Sequence, residues 1–160
     1  MTKAVYGGSF DPFTNGHLNI VERASRLFDE LVVAVSENPN KTYVFSHDER
    51  IRLIEETVKH LPNVSVVKHE EGLLVSFAKD QGAQVLVRGI RNGLDIDLEE
   101  MMAEMNHHQE PSLETLFLLA KATNRFISST LVKEVAELGG DVKELVPPLV
   151  FEELQKIEWS

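Results

Sequence analysis

Solid apolar runs alternate with amphipathic stretches along the whole of this chain. Ala4-Val5-Tyr6 comes first, followed by a loop rich in glycine and turn residues from Gly7 to Gly16. Leu18, Val21, Ala24, Leu27 and Phe28 then recur at helical spacing. Leu31-Val32-Val33-Ala34-Val35 is a continuous run of strand length. Ser46 and Glu49 form a capping-box pattern ahead of an apolar stripe at Ile51, Ile54, Val58 and Leu61, which predicts a helix. Val64–Val67 predicts a third strand, Leu73–Gln81 a helix and Val85–Val87 a fourth strand. Leu94, Leu98, Met101, Met102 and Met105 mark the next helix, and Leu116–Leu119 a fifth strand. A helix from about Ser129 to Leu138 stops at Gly139-Gly140, and Pro147-Pro148 fits the start of a last helix that ends near Trp159.

Strands that read as uninterrupted apolar runs, each followed by a helix, indicate a parallel sheet covered on both faces. The expectation is one α/β domain over residues 1–160, a Rossmann-like doubly wound fold with a five-stranded parallel sheet and helices on both faces. Ligands of such sheets bind beyond the carboxyl ends of the strands. The residues that follow Tyr6, Val35, Val87 and Leu119 are therefore the ones to inspect.

Composition narrows the classes. A chain of 160 residues, 42% apolar and 26% charged, is an ordinary globular domain with no linker or repeat. No apolar run approaches the ~20 residues that span a bilayer. Val5-Tyr6-Gly7-Gly8 interrupts any secretory leader pattern, so a cytoplasmic location is the default expectation. The absence of cysteine excludes disulfides, thiolate metal sites and cysteine nucleophiles. With 26 acidic against 16 basic residues the net charge is −10, which argues against nucleic acid as a partner. A few cations converging on one pocket can still hold a small anionic ligand.

The loop Gly7-Gly8-Ser9-Phe10-Asp11-Pro12-Phe13-Thr14-Asn15-Gly16-His17 fits neither the dinucleotide nor the P-loop glycine pattern. Its glycines allow backbone to approach a ligand, and Gly16-His17 sets an imidazole at a helix N-terminus, where an anion is attracted. A tight strand-to-helix turn with a surface histidine accounts for the same spacing, and on spacing alone the two readings stand level.

The family resemblance separates them. Gly8-Ser9-Phe10-Asp11-Pro12-x-Thr14-x-Gly16-His17 resembles the T/H-x-G-H motif of the nucleotidylyltransferase superfamily. Asn38-Pro39-Asn40-Lys41, Val87-Arg88-Gly89-Ile90-Arg91 and Phe126 to Lys133 narrow the resemblance to the bacterial phosphopantetheine adenylyltransferases. It covers nearly the whole chain, and each motif follows a predicted strand.

The resemblance implies transfer of the adenylyl group of ATP to 4′-phosphopantetheine, giving dephospho-coenzyme A and pyrophosphate. His17 would stabilise the transition state, with Lys41 and Arg91 as further catalytic cations. Ser9, Lys41, Leu74 and Arg88 would contact phosphopantetheine. Ser9, Phe10, His17, Gly89, Ile90, Arg91, Glu99 and the segment Asn124, Arg125, Phe126, Ile127, Ser128, Ser129 and Thr130 would hold ATP. Magnesium would be carried by the ATP phosphates with no metal site on the protein, and the assembly would be a homohexamer. The alternatives are a related adenylyl- or cytidylyltransferase acting on another phosphorylated small molecule, and a non-catalytic nucleotide-binding module.

Plainer readings stand beside several of these residues. Lys41 alone is a solvated loop lysine, Leu74 alone is core, and Ser128-Ser129-Thr130 is a helix N-cap. Glu99 lies in an acidic run with Asp95, Asp97, Glu100 and Glu104 that reads as a solvated helix face. Met101, Met102 and Met105 read as core or subunit interface, and His107-His108 as surface. Three departures from the family pattern are Ser9 for a common threonine, Thr130 for a frequent serine, and Asn124-Arg125 where an aromatic residue and serine are usual.

Overall fold

The computed structural model describes residues 1–159. Strands β1 (Lys3–Gly8), β2 (Glu30–Ser36), β3 (Val64–His69), β4 (Val85–Ile90) and β5 (Glu114–Leu119) form one sheet in the order β3-β2-β1-β4-β5. Every pairing is parallel, with Tyr6 registered on Val33 and Val87. The chain builds outward from β1 through β2 to β3, then returns to the other side of β1 with β4. That reversal between β1 and β4 is the topological switch point of an open sheet.

The apolar runs make the central strands buried on both faces. Ala4, Tyr6, Leu31, Val33, Val35 and Val87 pack on one side against helices α1 (Asn15–Leu27) and α2 (His47–Val58) through Ile20, Val21, Ala24, Ile54 and Val58. Val5, Val32, Ala34 and Leu86 pack on the other side against Val75 and Ala78 of α3 (Leu74–Asp80). Helix α4 (Gly93–Gln109) lies beside β4 and is joined to it by an Arg88–Glu99 pair. A third cluster joins α5 (Ser129–Glu137) and α6 (Pro148–Gln155) to Leu53 of α2 and to Phe45. The Rossmann-like α/β fold is as expected.

Two elements differ from expectation. Helix α6 stops at Gln155 instead of near Trp159, because Ile157 and Trp159 turn back onto the C-terminal cluster. In α4 no residue is buried, and Leu94, Leu98, Met101, Met102 and Met105 all face out. The methionines are therefore not part of this chain's core. His107 and His108 are exposed, as read from the sequence.

Candidate active site

A cleft of about 370 Å³ opens over the carboxyl ends of β1 and β4, within the range of small-molecule sites. Of the residues picked out in the sequence, Ser9, Phe10, His17, Lys41, Arg88, Gly89, Arg91, Glu99, Asn124, Ile127, Ser128, Ser129 and Thr130 line it. Leu74, Ile90, Arg125 and Phe126 do not. Ile90 is buried in the core, and Phe126 points to solvent with Arg125. Leu74 packs behind the cleft floor, where a Cβ on Gly7 would stand 2.7 Å from Leu74 Cδ2. Glycine at position 7 is what lets Leu74 close over the end of β1.

The loop after β1 ends in a cap. Thr14 is the N-cap of α1, and its Oγ1 accepts from His17 N at 3.3 Å. In return Thr14 N donates to His17 Nδ1 at 3.0 Å. The histidine thus takes the place usually held by Glu or Gln in a capping box. Because Nδ1 accepts a hydrogen bond from Thr14 N–H, the neutral ring carries its hydrogen on Nε2. Phe10, held at φ 51°, turns its buried ring edge-on to His17 at 5.0 Å, while Phe13 stacks on His17 at 5.6 Å. Positive φ is uncommon for an aromatic residue and marks a conformation fixed by its surroundings. Although Phe10 lines the cleft, its ring serves to pack the imidazole.

Burial lowers the His17 pKa to about 3, with the Arg91 and Arg88 guanidiniums pushing the same way. Burial first, and the two cations after it, keep the ring neutral. In the unfolded chain the group titrates near the ordinary value of about 6.5. From that pH downward the unfolded state binds the extra proton and the fold loses stability, until the folded ring itself protonates. Imidazole NMR resonances of His17 should accordingly show an Nε2–H ring unchanged between pH 8 and 5. A midpoint near 6.5 would contradict this.

Four cations reach the cleft from three different segments. Lys41 stands on the loop before α2, Arg88 and Arg91 lie at the end of β4, and Lys133 rises from α5. Arg88 donates to Glu99 from Nε at 2.8 Å and Nη2 at 2.7 Å, and from Nη1 to the Gly7 carbonyl at 2.9 Å. The Glu99 hydrogen bonds raise its pKa further, so it stays charged. Arg91 Nε lies 3.3 Å from Asp95, whose carboxylate also accepts from the Arg91 backbone at 2.9 Å. Lys133 Nζ lies 3.6 Å from Asp11. Among the described residues Lys41 makes no ion pair. Tyr6 forms part of the cleft floor, its phenol kept protonated by burial.

Sequence reasoning passed over Asp11, Thr14, Asp95 and Lys133 as site residues. Asp11 is buried and accepts from Val44 N at 2.7 Å and Phe45 N at 3.0 Å, tying the Lys41 loop to the first loop. A signal for Thr14 was present in its three-residue spacing from His17; none announced the Asp11–Lys133 contact. The serines of the Phe126–Lys133 motif are structural first. Ser128 caps α5 by accepting from Leu131 N, and Ser129 Oγ donates to the Pro12 carbonyl at 2.8 Å. The Ser128 hydroxyl hydrogen stays available to a phosphate at that helix end.

A cytidylyltransferase-like family profile matches residues 5–135. A phosphopantetheine adenylyltransferase from Levilactobacillus brevis is 49% identical over 94% of this chain and 92% of its own. One from Clostridium kluyveri is 47% identical over 98% of this chain and 94% of its own. A solved Vibrio parahaemolyticus structure, described as a nicotinate-nucleotide adenylyltransferase, superposes with a TM-score of 0.69 at 21% identity, covering 96% of this chain and 91% of that one. The last likeness concerns the fold alone. With a helix-capping histidine and convergent cations at the switch point of the sheet, and near-complete relatives at this identity, the chain belongs to the phosphopantetheine adenylyltransferases of the cytidylyltransferase-like family.

Proposed function

We propose that the protein transfers the adenylyl group of ATP to 4′-phosphopantetheine, releasing pyrophosphate and forming dephospho-coenzyme A. The observation that carries this reading is a neutral Nε2–H imidazole set among Lys41, Arg88, Arg91 and Lys133 in one cleft. A phosphate monoester with a second pKa of about 6 is already a nucleophile at neutral pH. Its oxygen attacks the α-phosphorus, the new P–O bond forms as the bond to pyrophosphate breaks, and no general base is needed. The protein's task is alignment and stabilisation of the growing negative charge. His17 donates from Nε2 to an α-phosphoryl oxygen, and Lys41 and Arg91 neutralise the phosphoryl groups around it.

On the acceptor side Arg88, Lys41 and Ser9 take the phosphate, with Leu74 on the wall behind. On the nucleotide side Gly89, Arg91, Asn124 and the Ile127–Thr130 stretch hold ATP. Lys41→Ala and Arg88→Ala should then weaken phosphopantetheine binding far more than ATP binding, and Arg91→Ala should do the reverse. Calorimetric titration of both ligands checks this; equal losses in all three variants would overturn the division. The activity itself is tested by mass spectrometry of a reaction holding ATP, magnesium and 4′-phosphopantetheine, beside CTP and nicotinamide mononucleotide as competing donor and acceptor.

Magnesium enters as part of the MgATP substrate. Among the described residues no group of three or more metal-ligating side chains comes together. The cleft carboxylates of Asp11, Asp95 and Glu99 each sit on a cation instead. The donor set does not fit a resident metal.

A homohexamer is the proposed assembly, supported by the exposed apolar side chains of α4 and β5. Leu94 is 81% and Met101 70% exposed on α4, and the edge strand β5 exposes Leu116, Phe117 and Leu119. Large exposed apolar surfaces mark interaction sites, and closed point groups dominate soluble homo-oligomers. Sedimentation at micromolar concentration should show a single species of six chains; a monomer alone would refute it. A cytoplasmic setting follows from ATP as substrate, and no helix among the described residues is long and apolar enough to cross a membrane.

A further inference from the structure

We propose that Tyr43 is a positioning residue: standing on the buried Arg50, it holds the turn from Asn38 to Lys41 and so sets the Lys41 ammonium at the acceptor end of the cleft. That the anion met there is the acceptor phosphate rests on the adenylyltransfer reading.

The stretch from Asn38 to Thr42 lies between β2 and α2, in neither helix nor strand, and all five of its residues are exposed. With no core packing to fix it, its backbone is placed by polar contacts. At one end Asp11 takes the N–H groups of Val44 and Phe45. At the other the Tyr43 phenol oxygen accepts from Asn38 N at 2.7 Å. Asn38 then closes the turn, its Oδ1 accepting from Asn40 N at 2.9 Å and its carbonyl from Lys41 N at 3.0 Å. A side-chain bond to the backbone two residues on is a turn-forming contact of asparagine. The Lys41 backbone is therefore tied to a phenol through one intervening residue.

The phenol has a fixed footing. Its ring centroid lies 4.1 Å from the central guanidinium carbon of Arg50, inside the ~6 Å range of a cation–π contact. Arg50 is fully enclosed and spends its hydrogens on the carbonyls of Phe45, Ser9 and Ser36 and on Glu37, so it cannot follow a moving loop. One ring thus passes the position of a buried cation to a surface turn. Lys41 makes no ion pair among the described residues, and its flexible stem takes its aim from where the backbone starts. Tyr43 lines the same cleft, and its hydroxyl hydrogen is the group through which it would touch a ligand directly. The test separates that role from positioning.

Tyr43→Phe in the full-length protein keeps the ring on Arg50 and removes only the oxygen. One hydrogen bond of this kind corresponds to about two- to tenfold in an equilibrium. KM for 4′-phosphopantetheine should rise about three- to tenfold while KM for ATP stays within about twofold. In a Lys41→Ala background the same change should add nothing. In the free protein, 15N relaxation should show the order parameters of the Asn38, Asn40 and Lys41 amides falling from about 0.85 to below about 0.6. A KM effect that persists without Lys41 would show the phenol touching the ligand itself and overturn the proposal. Unchanged KM values, equal rises for both substrates, or unaltered order parameters would overturn it as well. Should the wild type fail to turn over 4′-phosphopantetheine, the functional reading fails; the relaxation measurement needs no substrate and still decides whether Tyr43 holds the turn that carries Lys41.

Discussion

His17→Ala lowers kcat by roughly 10²–10³, the loss found when one preorganised donor to a developing oxyanion is removed. Affinity for ATP stays within about tenfold, since a group that acts mainly on the transition state changes ground-state binding little. The capping geometry sharpens the experiment. Alanine also strips Thr14 N–H of its acceptor on Nδ1, a cap loss of about 1 kcal/mol. Glutamine at position 17 keeps an acceptor for Thr14 and offers an amide N–H toward the cleft. It should restore the melting temperature fully and the rate in part. Steady-state kinetics beside thermal melts separate the two roles. Near-normal kcat in His17→Ala, or a defect confined to ATP binding, removes His17 from the transition state.

Arg50→Met destabilises the fold by about 3–5 kcal/mol, the range for removing one partner of a buried ionic network. Arg50 is fully enclosed, and its guanidinium donates to the carbonyls of Phe45, Ser9 and Ser36 and to Glu37 at 2.6 Å. The Tyr43 ring lies 4.1 Å from its central carbon. Methionine fills much of the same space but leaves three inward carbonyls without a donor, each costing about 1–3 kcal/mol. Glu37 is partly exposed and can turn to water, which limits the total. Urea unfolding at neutral pH gives the difference directly, and a change under about 1 kcal/mol would show that water replaces the guanidinium. The bond to Ser9 O ties this arginine to the cleft loop, so the surviving folded fraction should also bind phosphopantetheine less well.

The strands were legible because burial on two faces leaves an unbroken apolar run, and Leu31 to Val35 could be read as little else. The cleft was legible where its chemistry sits in local motifs, as at Thr14 to His17 and Arg88 to Arg91. Periodicity found the α4 helix but not its partner, since Leu94, Leu98 and Met101 are exposed in this chain and an apolar stripe does not say which surface covers it. Ion pairs across elements were out of reach. Arg88 meets Glu99 and Asp11 meets Lys133 through the packing of β4 on α4 and of the first loop on α5, and no spacing rule encodes those distances. Leu74 was named with the substrate contacts; its side chain lies behind Gly7, a placement set by the steric vacancy of a glycine two helices earlier in the chain's path.

The order of the sheet also divides the cleft by how readily its parts come open. Its floor hangs from β1 and β4, strands paired on both edges and packed on both faces, so their amides exchange with solvent only when the whole domain unfolds. Its wall is α4, none of whose residues is fully buried within the chain, so in an isolated chain it belongs to the low end of the local-opening scale. Each excursion of that helix carries Asp95 and Glu99 away together while Arg88 and Gly89 stay in the sheet. The phosphate sites are therefore dismantled from the carboxylate side first, leaving loosely held arginines over an intact floor.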